Sequence, residues 1–238
     1  MNTKLQQATD FDLNPPIELN KYDESIRQFC AAYEPMFFMA CSFIRSMVKD
    51  NAELLIVGCG TGMELISFGL ENPLWNMTGV DPSVEMLSIA KQKIDENHLL
   101  NSIQLFHGYT HDLPESNLYD AATCILVMHF LSDDGAKLHL LKSISQRLKS
   151  GSPLILIDGF GNINSNHFEQ TVLAWKTFVK SMGVEDKIVE DGFNNQILKR
   201  IQFVEEERIK SLLTEAGFDE SLRFFTSFAY GGWIAIKK

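Results

Sequence analysis

Gly58, Gly60 and Gly62 stand at alternate positions directly after the apolar run Leu54–Val57. Residues without a Cβ let the backbone turn through positive φ and approach a ligand closely. The segment reads as a buried strand, a glycine turn that also holds Cys59 and Thr61, and a helix beginning near Met63. Such a helix points unpaired N–H groups and the positive end of its dipole at whatever lies over the turn. Asp81 closes a second apolar stretch, 19 residues after Gly62. A carboxylate at that remove holds a ribose diol in a nucleotide-binding crevice. The chemistry implied is therefore the binding of a nucleotide-like ligand. The dinucleotide fingerprint requires G-x-G-x-x-G, and Met63 occupies its third glycine position. A bulky residue there hinders close helix–strand packing, so NAD is the less favoured ligand. The chain has no Walker sequence, no nucleophile elbow G-x-S-x-G and no His, Cys, Asp or Glu set at metal-ligand spacing, and no metal is expected.

The surrounding pattern supplies the elements that must position these residues. Residues 1–20 are polar, carry Pro15-Pro16 and read as a loose arm. From Tyr22 to Val48 apolar residues recur at three- and four-residue steps, which predicts helix, and Pro35 divides it into two. Strands are expected at Leu54–Val57, Trp75–Val80, Ile103–Phe106, Tyr119–Val127 and Pro153–Ile157, alternating with helices at Met63–Leu70, from Ser83 to about Asn97, and around Leu138–Leu148. Continuous apolar strands alternating with amphipathic helices indicate a parallel sheet covered on both faces. Residues 160–200 break the rhythm and read as a helical insertion over the C-terminal edge of the sheet. A helix over Glu205–Ala216 and a hairpin of Leu222–Phe228 with Trp233–Lys237, turned through Ala229-Tyr230-Gly231-Gly232, end the chain. The expected fold class is α/β: a Rossmann-like, doubly wound, mostly parallel seven-stranded sheet with a C-terminal antiparallel hairpin. Residues 1–50 form an N-terminal arm and helical cap, and residues 51–238 the remaining domain.

Bulk properties bound the partners. The chain has 238 residues, 45% of them hydrophobic, and a formal net charge of −10. That balance argues against a nucleic-acid footprint, which needs clustered Lys and Arg. The four cysteines, Cys30, Cys41, Cys59 and Cys124, sit in apolar company without disulfide spacing, which suits a reducing compartment. With neither a signal-like h-region nor a run of 18 apolar residues, a cytoplasmic location without membrane attachment is expected. A homodimer is left open.

Four ordered motifs then carry a resemblance. Leu54-Leu55-Ile56-Val57-Gly58-Cys59-Gly60-Thr61-Gly62-Met63, Gly79-Val80-Asp81-Pro82-Ser83 with Met86-Leu87, Gly108-Tyr109-Thr110 with Asp112-Leu113-Pro114, and Tyr119-Asp120 with Met128-His129-Phe130-Leu131 resemble those of class I S-adenosylmethionine-dependent methyltransferases. The terminal Ala216-Gly217-Phe218 and hairpin fit the same family. The resemblance implies S-adenosyl-L-methionine as cofactor. Gly58, Cys59, Gly60, Thr61 and Gly62 would cradle its methionyl part and Asp81 its ribose hydroxyls. Pro82 and Met86 would flank the adenine, Tyr109 and Thr110 would read its edge, and Cys124, Ile125 and Leu126 would lie beneath the sulfonium. Most relatives carry an acidic residue where Ile56 stands, so the cap is expected to complete the site through Tyr33 and Arg27.

His129, two residues past the strand that faces the methyl group, is the candidate general base; the alternative is a histidine packed in the turn. Tyr22, Arg27, Trp175, Arg200 and Tyr230 are the candidate substrate residues, in an aromatic-rich crevice suited to a small, partly apolar acceptor. Cap and tail are also similar to carboxy-S-adenosylmethionine synthases of tRNA wobble modification, in which Arg200 or Lys199 would face the added carboxylate. A third reading is a non-catalytic module that binds the cofactor.

Overall fold

A computed structural model describes residues 18–115 and 118–238. Residues 1–17 of the expected arm over residues 1–20 lie outside them, and a 3-10 turn, Leu19–Lys21, begins at its end. The cap consists of α1 (Tyr22–Phe29) and α2 (Tyr33–Met47). The break between them is Cys30–Ala32, where Ala32 adopts φ 62°. Pro35 sits inside the first turn of α2, where a missing N–H costs no helical hydrogen bond. The helix therefore divides just before the proline.

Five parallel strands follow: β1 (Glu53–Val57), β2 (Asn76–Asp81), β3 (Ile103–His107), β4 (Ala121–Ile125) and β5 (Pro153–Gly159). β6 (Leu222–Ser227), which runs parallel to these five, and β7 (Tyr230–Ile236), which lies antiparallel between β5 and β6, complete a seven-stranded sheet of order β3-β2-β1-β4-β5-β7-β6. Every residue of β4 and β5 is buried, as expected of central strands covered on both faces. Helices α3 (Met63–Glu71), α4 (Val84–Glu96) and α5 (Ala136–Gln146) make the crossovers. Beyond β5 come α6 (Asn166–Ser181), α7 (Asp186–Asp191), a π-helical turn Gly192–Ile197, the short turn Leu198–Arg200, and α8 (Glu206–Glu215). One face of the sheet buries α2 and α6 side chains such as Phe37, Ile44, Val172 and Trp175. The other buries Leu141 and Ile144 of α5 with Ile209 and Leu213 of α8. Among the described residues no helix is long and apolar enough to cross a membrane.

The terminal hairpin differs from the sequence expectation. Its turn is only Phe228-Ala229, and Tyr230, Gly231 and Gly232 lie within β7, opposite Gly159, Asp158 and Ile157 of β5. Packing explains these glycines. A Cβ on Gly231 would come 2.5 Å from Trp233 Cη2, and one on Gly232 would come 2.9 Å from Phe225 Cβ. They leave room for aromatic side chains in a strand, a common use of strand glycine. The shift places Tyr230 beside the end of β5, close to the C-terminal edge of the parallel strands.

Candidate functional site

Two adjoining cavities open at that edge, of ≈ 680 and ≈ 510 Å³. Tyr22, Leu126 and Phe130 line both and form the wall between them. Leu126 has φ 58°, an uncommon conformation for a branched side chain that tends to mark functional positions. It immediately follows β4, and its N–H donates to the Ile157 carbonyl at 2.7 Å, so the partition is anchored to two central strands.

The larger cavity is built on the glycine turn. Gly58, Gly60 and Gly62 have φ of 68°, 51° and 81°. A Cβ on Gly58 would lie 2.3 Å from Val127 Cγ2, and one on Gly62 would lie 2.9 Å from Ala90 Cβ. Beside Gly60 the space is open, with nothing nearer than the Gly58 carbonyl at 4.0 Å. Gly58 and Cys59 donate backbone N–H bonds to the Val80 carbonyl at 2.8 and 3.1 Å. Asp81 is buried at the end of β2, where its Oδ2 accepts from Gly60 N at 2.8 Å and its Oδ1 from Ser83 N at 2.9 Å. One carboxylate thus joins the glycine turn to the start of α4. The Ser83 hydroxyl caps α4 by accepting from Met86 N at 3.0 Å. This presents Pro82 and Met86 to the cavity, and Tyr109 and Thr110 close its far side. The Tyr109 N–H donates to Asp112 Oδ2 at 2.8 Å, and its ring stacks on His111 with centroids 5.5 Å apart.

The smaller cavity has apolar walls from Ile26, Phe29, Phe130 and Ile197, with Tyr22, His129, Arg200 and Tyr230 among its polar groups. His129 is almost wholly buried, and its Nδ1 lies 2.8 Å from Oδ1 of the fully buried Asp158. That oxygen also accepts from Gly159 N at 2.7 Å. The buried Lys137 ammonium, donating to the Met128 carbonyl at 3.0 Å, adds positive charge toward Asp158. Burial holds the Lys137 pKa below its usual range, with Asp158 and Asp133 opposing that shift. Burial also holds the phenols of Tyr22 and Tyr230 well above their ordinary pKa, with nearby acidic groups adding to it. Both therefore remain hydrogen-bond donors at neutral pH. Glu64, in the first turn of α3, is buried as well, and burial pushes its carboxyl up to about 8.

Of the residues expected at the site, the larger cavity gathers Gly58, Gly60, Asp81, Pro82, Met86, Tyr109, Thr110 and Leu126. Tyr22 and Leu126 also line the smaller cavity, with His129, Arg200 and Tyr230. The others lie outside both linings. Tyr33 packs edge-on against Phe37, with centroids 5.0 Å apart. Arg27 is paired with Glu34 and lies 3.9 Å from Met63 Sδ. Trp175 is fully buried and donates its indole N–H to the Phe29 carbonyl at 2.6 Å, supporting the cavity wall from behind. Cys59, Cys124 and Ile125 are buried in the core, and Gly62 packs on Ala90. Thr61 turns away, its hydroxyl donating to Asp23 Oδ1 at 2.6 Å. Sequence reasoning left Asp23 and Asp158 out of the site. Asp158 carried a usable signal, a lone acid ending an apolar parallel strand, where sheets of this type bind ligands.

Comparison with known proteins bears on the ligand. Residues 55–154 match the family model described as "Methyltransferase domain". Residues 55–154 carry a methyltransferase domain. It is 21% identical over 221 residues to a carboxy-S-adenosyl-L-methionine synthase of Klebsiella pneumoniae, covering 91% of this chain and 87% of that one. It is 31% identical over 113 residues to a demethylmenaquinone methyltransferase of Bacillus cereus, covering 47% of this chain and 46% of that one. In fold it is similar to the magnesium protoporphyrin IX methyltransferase of Synechocystis, solved with bound SAH, with a TM-score of 0.64 and 16% identity over 92% of this chain and 94% of that one. A putative O-methyltransferase of Nostoc punctiforme also gives a TM-score of 0.64, at 17% identity over 87% of this chain, which spans 56% of that protein's length.

The larger cavity fits S-adenosylmethionine, the cofactor that the sequence motifs imply. The glycines form a cradle that side chains would fill, open at Gly60, and Asp81 stands at the strand end where ribose hydroxyls need an acceptor. Replacing Asp81 by alanine is expected to weaken S-adenosylhomocysteine binding about ten- to a hundredfold, measured by calorimetry. The loss combines the ribose contact with release of the Gly60 and Ser83 N–H groups, each costly when left unpaired.

Proposed function

We propose that the protein moves a methyl group from S-adenosylmethionine to a small, partly apolar acceptor that gives up a proton. The observation that supports this most strongly is the His129–Asp158 pair, placed on a cavity that adjoins the cofactor cavity across Tyr22, Leu126 and Phe130. The cofactor supplies an electrophilic methyl group on a sulfonium, and the transfer is an in-line displacement that depends largely on positioning. The chain's residues do the rest. Ile26, Phe29 and Phe130 hold the acceptor's apolar body and exclude water. Asp158 accepts the Nδ1–H of His129, which fixes the ring and makes Nε2 the basic nitrogen, as orienting carboxylates do elsewhere. His129 then takes the proton that the acceptor loses. Tyr22 and Tyr230, held protonated, donate hydrogen bonds that orient the acceptor.

A test is methyl transfer from isotopically labelled S-adenosylmethionine to a panel of small phenols, enols, amines and thiols. Labelled product from at least one of them is expected. A protein that binds the cofactor but methylates none of them would refute the enzymatic reading and leave a binding module.

A second reading is favoured by the extent of the likeness to carboxy-S-adenosylmethionine synthases together with the position of Arg200 on the smaller cavity. There the guanidinium would face a carboxylate added to the cofactor. Mass analysis of the nucleoside that co-purifies with the protein separates the two: unmodified S-adenosylmethionine or S-adenosylhomocysteine supports methyl transfer, and the carboxylated form supports the second reading.

A further inference from the structure

The glycine turn is tied down unequally. Its backbone is held from within the sheet, by Val80 at Gly58 and Cys59 and by Asp81 at Gly60. Its one hydroxyl side chain, Thr61, is held from the cap: the hydroxyl donates to Asp23 Oδ1 at 2.6 Å. The second oxygen of Asp23 pairs with Lys93 of α4. The Asp23 and Lys93 side chains are only 18% and 22% exposed, so the pair is shielded from the screening that makes surface ion pairs weak. One carboxylate thereby joins α1, the glycine turn and α4.

Charge gives this junction a direction. The aminoacyl end of S-adenosylmethionine carries an ammonium, and it must lie near the turn if the nucleoside end lies toward Tyr109. The strand before the turn offers only Ile56 and Val57 there. Glu64, just after the turn, keeps its proton at pH 7, with its carboxyl raised to about 8. Among the described residues, the carboxylates hydrogen-bonded to the turn are Asp81, on its backbone, and Asp23, on its side chain.

We infer that Asp23 is a positioning residue: through Thr61, and with its own charge paired to Lys93, it fixes against the cap the glycine turn that holds the aminoacyl end of the cofactor. The inference rests on the assignment of the larger cavity to S-adenosylmethionine. It also explains how Tyr22, the preceding residue, is seated between the two cavities.

Calorimetry with two nucleosides tests it. S-adenosylhomocysteine has the aminoacyl chain, and 5′-methylthioadenosine lacks it. In Asp23→Asn, affinity for S-adenosylhomocysteine is expected to fall about tenfold, the range of one charge-assisted bond, with 5′-methylthioadenosine changing less than about twofold. Thr61→Val should give a comparable selective loss, the double variant should be little worse than either single one, and Asp23→Glu should recover part of the loss. Equal losses for both nucleosides would reduce Asp23 to a structural tie of the cap, and no loss for either would remove its role; both results overturn the inference. If the unaltered protein binds S-adenosylhomocysteine no better than adenosine-free buffer controls, the cofactor assignment itself fails, a distinct outcome.

Discussion

Replacing His129 by asparagine is expected to slow methyl transfer about 10²–10⁴-fold, the usual contribution of a positioned general base, while S-adenosylhomocysteine binding changes less than about twofold. The two effects separate because His129 lines the smaller cavity and not the larger. Asparagine is the informative substitution. Its amide N–H still donates to Asp158 Oδ1, so the fully buried carboxylate is not left unpaired, but it has no nitrogen that accepts a proton. Alanine would strip Asp158 of that donor, and an uncompensated buried charge costs several kcal/mol, which confounds catalysis with folding. Asp158→Asn tests the other half of the pair. It leaves the cavity's shape intact but removes the charge that selects the Nδ1–H tautomer, and a rate loss of similar order is expected. Added imidazole should restore part of the rate in His129→Asn and none in Asp158→Asn. An His129→Asn enzyme with undiminished kcat would show that acceptor deprotonation does not depend on this residue.

The same pair shows where sequence reasoning ends. The strand–turn–helix, the three glycines and Asp81 are local features, each contained within one βα unit, and spacing alone brought Gly58, Gly60 and Asp81 to one crevice, while Gly62 packs on Ala90. His129 and Asp158 are 29 residues apart and meet only because β4 and β5 are neighbours in register. Asp23 reaches Thr61 across 38 residues and Lys93 across 70. No periodicity reports such contacts. The helical stripe of residues 22–48 identified a buried face without saying which part of the core it meets. Tyr33 belongs to that face and packs on Phe37, and Trp175 likewise serves the core. Gly231 and Gly232 were ambiguous for a related reason: a glycine that turns a hairpin and one that makes room for Trp233 look the same in sequence. The π-helical turn Gly192–Ile197, which carries Asn195 and Gln196 to the smaller cavity, has no local signature. Gly192 allows its approach to the cap, since a Cβ there would lie 2.7 Å from Phe29 Cε1.

Glu64→Gln is expected to stabilise the protein increasingly as pH rises. Glu64 is 6% exposed, and its Oε1 has no hydrogen-bond partner among the described residues. Burial disfavours the charged form, so the carboxyl moves from an ordinary 4.5 to about 8. Between those values the folded protein holds a proton that the unfolded chain has released. Stability from this group is therefore complete below about pH 4.5 and declines as pH rises through 8, at about 1.4 kcal/mol per pH unit. Across that span the loss is roughly 5 kcal/mol, a large share of the roughly 5–15 kcal/mol by which native proteins are stable. Glutamine has nearly the same shape and no charge to bury, so its stability should lack this slope. Urea unfolding at pH 5, 7 and 8.5 measures it. The two proteins should be close at pH 5, with the variant ahead by roughly 3 kcal/mol at pH 7 and more at pH 8.5. A constant offset from burying the amide would shift all three comparisons equally and leave their divergence intact. Parallel stability curves would show instead that Glu64 ionises in the folded protein at the same pH as in the unfolded chain, and the carboxyl beneath the glycine turn would then count as an anion at neutral pH.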